Sequence, residues 1–173
     1  MVADSMVKKP VDSIVDSIHH LDSALSKQST KHDTVVYTGI PYSPVKHFHS
    51  PNRGVKVHLP AFTSTSSDKV VAYGFSKHSN DPFDEDHGVT HDENNGSRHI
   101  LKIHMPKGTH AMSMVDHAFI PEEHEVLLHR GYNIGIHPKP EYDKELGAHV
   151  WTAKILSHDP EEIKPIVIPP ATK

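Results

Sequence analysis

The sequence predicts a small α+β domain, on three observations. One amphipathic segment near the N-terminus is followed by several short segments that are rich in β-branched and aromatic residues. No strand–helix alternation follows, and no Gly-x-Gly-x-x-Gly turn is present, which disfavours a doubly wound sheet. Fourteen prolines and nine glycines interrupt the chain, so we expect short elements joined by loops.

The first element is predicted to be a helix over residues 10–28. Five apolar residues recur there at intervals of three and four, namely Val11, Ile14, Ile18, Leu21 and Leu25. That spacing is typical of an amphipathic helix. We expect the helix to begin after Pro10 and to cover one face of a sheet.

Seven short segments are predicted to be strands, because they alternate apolar with polar residues or are rich in strand-forming residues. They cover residues 34–39, 55–59, 62–66, 99–105, 123–128, 132–137 and 148–156. A short helix over residues 70–75, capped by Ser67 or Asp68, is expected after the third of them.

The length of 173 residues fits a single domain. We predict one domain over residues 1–173 with its core at about 10–157. Residues 76–98 are polar and acidic, which predicts a long loop, and the proline-rich residues 158–173 predict an extended tail.

Composition excludes several classes of function. The formal net charge is −4 and Lys and Arg do not cluster, so we expect no direct nucleic-acid binding. No segment approaches the roughly 20 apolar residues of a membrane span, so we expect a soluble protein without membrane contact. Cysteine is absent, which excludes disulfides and thiolate metal sites.

The chain holds 18 histidines, and they are scattered along it. Only the pairs His47/His49 and His19/His20 approach ligand spacing, and neither has the further ligands that would complete a zinc site. We therefore predict no metal site. The alternative is a histidine-rich metal-binding protein, which would take up zinc or nickel stoichiometrically and be stabilised by it.

Two glutamates, Glu123 and Glu125, lie two residues apart in a predicted strand. Alternate strand residues share a face, so both carboxylates would project together, while Val126 and Leu128 face the other side. Like charges this close disfavour joint ionisation unless a cation lies nearby, and a surface strand gains nothing from them. Alone, however, a Glu-x-Glu pattern is a weak indication of function.

Other motifs accompany the glutamates in a defined order. Phe62–Ser66 reads Phe-Thr-Ser-Thr-Ser, Ile100–Ile103 is followed by Pro106-Lys107-Gly108, and Glu125-Val-Leu-Leu leads to Arg130-Gly131. From about Thr34 to Ile136 this series resembles the Arg-Ser-Glu class of mono-ADP-ribosyltransferases, which includes clostridial binary toxins and bacteriophage exoenzymes. The resemblance implies two small, mainly antiparallel sheets packed to form a cleft for NAD, which is the substrate.

The resemblance also implies a role for each matching residue. Glu125 would be the catalytic glutamate that stabilises an oxocarbenium-like ribose as nicotinamide leaves, Ser64 would hold it, and Glu123 would orient an acceptor arginine. The residues at NAD would be Tyr37, Thr38, Gly39, Thr65, Ser66, Lys102 and Arg98. Phe119, on the loop before the glutamates, would select the target protein.

The first strand departs from the family pattern. Relatives usually read aromatic-Arg-Gly, with the arginine bracing the cleft and reaching phosphate, but this chain reads Tyr37-Thr38-Gly39. Either Arg53, Arg98 or Lys102 compensates, or NAD binds weakly, or the domain retains the fold without activity. One lost charge-assisted contact costs about 1.5–3 kcal/mol, which weakens binding about tenfold to a hundredfold.

The resemblance implies an arginine-specific transferase that modifies a host protein in the host cytoplasm, as a phage-delivered enzyme or a bacterial effector or toxin. The alternative is a catalytically impaired member of the fold that acts as a binding or virion component, in which Glu125→Ala would change nothing measurable. A two-carboxylate glycoside hydrolase is disfavoured, because carboxylates two residues apart on one strand cannot flank a sugar from opposite sides.

Overall fold

The computed structural model describes residues 3–40, 48, 53–76, 98–114 and 124–162, with the side chains of the first helix described from Asp12 onward. These residues form two helices, α1 (Ala3–Ser26) and α2 (Lys69–Phe75). They also form nine strands: β1 (Thr34–Ile40), β2 (Val55–Leu59), β3 (Thr63–Ser66), β4 (Arg98–Met105), β5 (Ala111–Ser113), β6 (Glu125–Leu128), β7 (Tyr132–Ile136), β8 (Glu141–Asp143) and β9 (Ala148–His158).

The strands lie in the order β2-β7-β9-β4-β1-β3-β6-β5, and β8 pairs with β9 outside this path. Only β4 and β9 run parallel; the other described pairs are antiparallel. The predicted α+β class is therefore confirmed. The expected pair of sheets is joined into one hydrogen-bonded path, however, and the junction is a single register pair between Tyr37 of β1 and Ser66 of β3. We call this junction the β1–β3 seam.

Several predicted boundaries are corrected. The first helix begins at Ala3 rather than after Pro10, and β9 continues to His158, where the extended tail was expected to begin. The strand predicted from Glu123 begins at Glu125. Strands β5 and β8 were not predicted. Residues 77–97 of the predicted acidic loop and 163–173 of the predicted tail lie outside the described residues.

The main core lies on one face of the sheet. It is built around Val36, Leu101, Ile103, Ile134 and Trp151, all buried. The helix α1 joins the rest of the domain at its C-terminal end, where Leu25 is fully buried, while Ile14 is 60% exposed. The apolar stripe predicted for this helix is thus buried only near its end.

The opposite face of the sheet is covered by α2 at the end near the seam. Strand residues alternate between faces, so Tyr37 and Ile100 point away from the main core and pack with Ala72 of α2. A Cβ on Gly39 would lie 2.5 Å from the backbone nitrogen of Ser76 and 2.7 Å from the carbonyl oxygen of Ala72. Glycine at this position therefore lets α2 approach the backbone of β1 directly.

Polar contacts fix the N-terminal end of α2. As predicted, Asp68 caps the helix, and its carboxylate accepts a hydrogen bond from Val70 N at 2.8 Å. Lys69 Nζ lies 2.9 Å from Asp143 Oδ2 at the end of β8, which raises the pKa of Lys69 and lowers that of Asp143. The helix that borders the seam is therefore held against both β1 and β8.

Candidate active site

A pocket of about 290 Å³ opens at the β1–β3 seam. It is lined by Tyr37, Thr38, Gly39, Ser64, Thr65, Ser66, Ala72, Phe75 and Glu125. The first-strand motif, the Ser-Thr-Ser strand and Glu125 therefore meet in one cavity, although they are far apart in the sequence. Ala72 and Phe75 were not predicted as site residues; the position of α2 directly after β3 was the signal that could have placed them there.

At the centre of the pocket, Ser64 and Glu125 are in direct contact. Ser64 Oγ donates a hydrogen bond to Glu125 Oε1 at 2.7 Å. The register pairs Ser66 with Glu125 and Ser64 with Leu127, so the two side chains are diagonal neighbours on one face of the β3–β6 pair. A charge-assisted hydrogen bond of this length restricts the orientation of the carboxylate.

The backbone around Glu125 is bonded to strands on both sides. Met114 N donates to the carbonyl of Glu125 at 2.8 Å, and Ser67 N donates to the carbonyl of His124 at 3.2 Å. Thr65 Oγ1 donates to the carbonyl of Val126 at 2.6 Å. The carboxylate thus projects from a strand that β3 and β5 hold in place.

His124, directly before Glu125, adopts a left-handed backbone conformation with φ of 47°. This conformation costs a non-glycine residue about 1–2 kcal/mol. Because it interrupts the extended chain, the strand begins after this residue, at Glu125, and the expected projection of Glu123 beside Glu125 stays a prediction. Glu123 itself lies outside the described residues, as does Phe119.

Two predicted phosphate-binding residues, Lys102 and Arg98, do not line the pocket. Lys102 pairs with Tyr37 in the β1–β4 register, so it lies on the pocket side of the sheet, one strand further on. The guanidinium of Arg98 lies 4.0 Å from the centre of the Tyr73 ring. Its Nη1 atom is buried and has no hydrogen-bond partner in the described part of the chain.

Thr38, where the family usually has arginine, takes part in the structure of the seam. Its hydroxyl donates to the carbonyl oxygen of Ser64 at 3.1 Å. Arg53, the third residue expected to compensate for the missing charge, is exposed beside the edge strand β2 and does not line the pocket. Of the described residues that line the pocket, Glu125 is the one that carries a charge.

Neither a metal-binding cluster nor a membrane-spanning helix occurs in the described residues. No three or more histidine or acidic side chains are arranged there to hold a metal ion. Neither described helix combines the length and apolar character needed to cross a membrane.

The lining combines one anion with small hydroxyl side chains and two aromatic rings, those of Tyr37 and Phe75. Phe75 is 62% exposed at the rim, although it is a large apolar residue. A fixed carboxylate in such a pocket can stabilise positive charge that develops on a bound substrate, and an exposed ring can pack against a flat heterocycle.

Among solved structures, three similar ones illustrate the fold. The ADP-ribosylating toxin BECa of a binary enterotoxin of C. perfringens, solved with NADH, has 18% identity and a TM-score of 0.56 over 84% of this chain and 36% of that chain. C3stau2 from S. aureus, solved with NAD, has 16% identity and a TM-score of 0.61 over 89% and 81%. C2-I, the enzymatic component of the C2 toxin from Clostridium botulinum, has 16% identity and a TM-score of 0.63 over 94% and 41%.

The family of the chain is shown by one sequence comparison, the family profile. The chain spans about a third of the length of BECa, 36%. Comparison with curated protein sequences gives no match. The profile of the ADP-ribosyltransferase exoenzyme family matches residues 3–157, and the chain belongs to that family.

Proposed function

We propose that this chain transfers ADP-ribose from NAD to an arginine of a target protein. The observation that carries the proposal is the contact between Ser64 and Glu125 at the centre of the seam pocket, 2.7 Å between oxygens. Family membership and the neighbours solved with NAD or NADH support NAD as the substrate.

The chemistry follows from the charge of Glu125. The bond between nicotinamide and the ribose C1 atom breaks, nicotinamide leaves with the electron pair as a neutral molecule, and positive charge develops on the ribose. The Glu125 carboxylate stabilises this charge more than it stabilises bound NAD, which lowers the barrier. A guanidine nitrogen then bonds to C1 and loses a proton. The hydroxyl of Ser64 is hydrogen-bonded to Oε1 of Glu125, so Oε2 is left to accept a hydrogen bond from the ribose.

The remaining predicted residues are proposed to bind NAD. Tyr37, Gly39, Thr65 and Ser66 line the pocket with Thr38, and Phe75 offers a ring for nicotinamide to pack against. Neighbouring strands lie about 4.8 Å apart, so Lys102, one strand beyond Tyr37, is within reach of the pyrophosphate if NAD extends from the pocket across β1. Arg98 is the weaker candidate, because its guanidinium already packs on Tyr73.

The acceptor residue, the target protein and the location of that target are also proposals. Glu123 is proposed to orient the acceptor arginine, and Phe119 to contact the target protein. We infer that the target is a host protein in the host cytoplasm, reached by phage delivery or as a bacterial effector. The support is that relatives of similar fold are toxins or toxin components.

The test is purified protein incubated with NAD labelled in the adenylate, with and without a small guanidine acceptor such as agmatine. Wild type should release nicotinamide and label the guanidine. Glu125→Gln keeps the size of the side chain but removes its charge, so it should lower both rates by about 10²–10³-fold, as expected for loss of a transition-state stabiliser.

The matched control is Glu141→Gln, which removes an exposed carboxylate from β8 and should leave both rates unchanged. In the same assay, Glu123→Gln should lose labelling of the guanidine while it still releases nicotinamide. Wild-type protein that binds NAD without cleaving it, or does not bind it, would favour a member of the fold that acts as a binding component.

A further inference from the structure

The β1–β3 seam has little backbone pairing, although the pocket opens across it. β1 pairs with β4 along its whole length, and β3 pairs with β6 along its whole length, but β1 and β3 pair only between Tyr37 and Ser66. Tyr37 lies on one side of the seam, and Ser64 and Glu125 lie on the other. The main-chain ladder therefore fixes the separation of the two sides at one point.

Thr38 supplies a second connection across the seam. Its Oγ1 donates to the carbonyl oxygen of Ser64 at 3.1 Å, one residue from the Tyr37–Ser66 pair along β1. The neighbouring hydroxyls make bonds on the far side of the seam: Thr65 donates to the carbonyl of Val126, and Ser66 accepts from Asp68 N. The Thr38 bond thus holds β3 to β1 where Ser64 enters the pocket.

Ser64 carries this connection on to Glu125. Its carbonyl accepts from Thr38, and its hydroxyl donates to Glu125 Oε1 at 2.7 Å. Only a few bonds of one small residue separate these two groups, so a shift of the carbonyl moves the hydroxyl as well. The position of the carboxylate relative to β1 thus depends on Thr38.

We propose, resting on the proposed function, that the Thr38 hydroxyl is a positioning group that fixes Glu125 through Ser64. Threonine has few side-chain rotamers in a strand, which suits this purpose. On this view the first strand braces the cleft with a short neutral donor instead of a cation. Because Thr38 acts on the group that stabilises the transition state, its removal should affect kcat more than KM for NAD.

The test compares three single variants in nicotinamide release. Thr38→Val keeps the shape but removes the hydroxyl, and we expect kcat to fall about tenfold or more while KM changes less than about twofold, since small misplacements of catalytic groups are costly. Thr38→Ser keeps the hydroxyl and should retain most of the rate. The matched control is Thr34→Val, on the same strand, whose hydroxyl bonds to the carbonyl of His32 and not to the pocket.

A double-mutant cycle tests the route through Ser64. If Thr38 acts through it, Thr38→Val should cost clearly less in a Ser64→Ala background than in the wild type. Equal costs in both backgrounds, or a Thr38→Val enzyme with unchanged kcat, would overturn the proposal.

Hydrogen exchange of β3 gives a readout without turnover. Thr38→Val should speed amide exchange of Thr63–Ser66 relative to Thr34→Val, because one of the connections across the seam is lost. If wild type cleaves no NAD, the proposed function fails. If Thr38→Val leaves the amide exchange rates of Thr63–Ser66 unchanged, Thr38 does not position β3, whether or not the protein is active.

Discussion

At the scale of single residues, His124 determines where the strand that carries Glu125 begins. Its φ of 47° places it in the left-handed region, and its carbonyl accepts from Ser67 N, which joins this turn to the residue after β3. Strain of this kind is often found beside functional groups, where surrounding contacts stabilise it. The conformation sets the direction in which the chain enters β6.

We predict that His124→Val lowers the free energy of unfolding by about 1–2 kcal/mol, because β-branched residues rarely tolerate this backbone conformation. His124→Gly should be at least as stable as wild type, since glycine adopts positive φ without a steric penalty. Urea denaturation of the three proteins measures both effects. Equal stability of the Val and Gly variants would show that the turn is not left-handed in solution.

The same residue shows what sequence reasoning could and could not supply. The motifs predicted that Ser64 and Glu125 belong to one site, and the two side chains are in contact. Alternation could not reveal a left-handed residue at His124, because histidine has no strong preference that marks such a position. The bond from Thr38 was equally hidden, since its acceptor is a backbone carbonyl whose position depends on the register at the seam.

At the scale of elements, α1 is attached to the domain beside three histidines, His110, His129 and His158, which we call the histidine cluster. Their ring centroids lie 4.8 Å apart for His129 and His158, 5.6 Å for His110 and His158, and 6.3 Å for His110 and His129. The carbonyl of Arg130 lies 2.9 Å from His129 Nδ1 and 3.0 Å from His158 Nε2. Three imidazoles therefore share one partly buried region.

The end of α1 contacts this cluster directly. Asp22 accepts a hydrogen bond from Arg130 Nε at 2.8 Å and lies 3.6 Å from His129 Nε2. Ser26 Oγ lies 3.4 Å from the same nitrogen, and the carbonyl of Gln28, just after the helix, lies 2.9 Å from His110 Nδ1. Protonation of His158 would therefore change the charge next to the attachment of α1.

We predict that acidification weakens the folded state through this cluster. Burial lowers the pKa of His158 below its ordinary 6.5, an effect offset in part by the carbonyl of Arg130 and by Asp159 but strengthened by His129 and His110. The folded state thus binds this proton less readily than the unfolded chain does. Stability is fully present above about pH 6.5 and is lost as the pH falls through the lowered pKa. Tyr132, stacked on His158, does not titrate there, because burial raises its pKa.

The measurement is the free energy of unfolding from urea titrations at about pH 7.5 and about pH 5.5, across the range in which histidines titrate. His158→Gln should lose clearly less stability between the two pH values than wild type loses. His19→Gln, which alters an exposed histidine of α1, serves as the control and should follow wild type. A His158→Gln protein as acid-sensitive as wild type would exclude the cluster as the cause.

Sequence patterns predicted the longer elements and missed the two shortest strands. β1, β2, β4, β7 and β9 were identified because each alternates or concentrates strand-forming residues over several positions. β5 and β8 span three residues each, which is too short for any period to appear. The docking of α1 was hidden in part: Leu25 of the predicted stripe is buried, but the contacts of Asp22 and Ser26 with Arg130 and His129 leave no periodic signal.

At the scale of the whole molecule, the net charge has the same sign as the phosphates of NAD, the proposed substrate. The formal net charge is −4, and the charged residue in the described pocket lining is a glutamate. NAD carries two negative phosphates, so the mean field of the protein opposes its approach. Among the described cations, Lys102 lies on the pocket side of the sheet, one strand away from Tyr37, and can offset this.

The salt dependence of KM for NAD tests whether repulsion by the negative net charge outweighs attraction by Lys102. The field extends about 30 Å at 0.01 M ionic strength but only about 10 Å at 0.1 M, so added salt should screen the repulsion. We predict that KM falls, or stays constant within about twofold, as ionic strength rises through this range.

Thr38→Arg places a cation in the pocket, so its KM should instead rise with salt. Lys102→Gln should make the fall in KM steeper, because it removes a positive charge from the strand next to β1. A wild-type KM that rises severalfold with salt would mean that another cation contacts the phosphates, and the charge of the cleft would then come from residues outside the pocket lining described above.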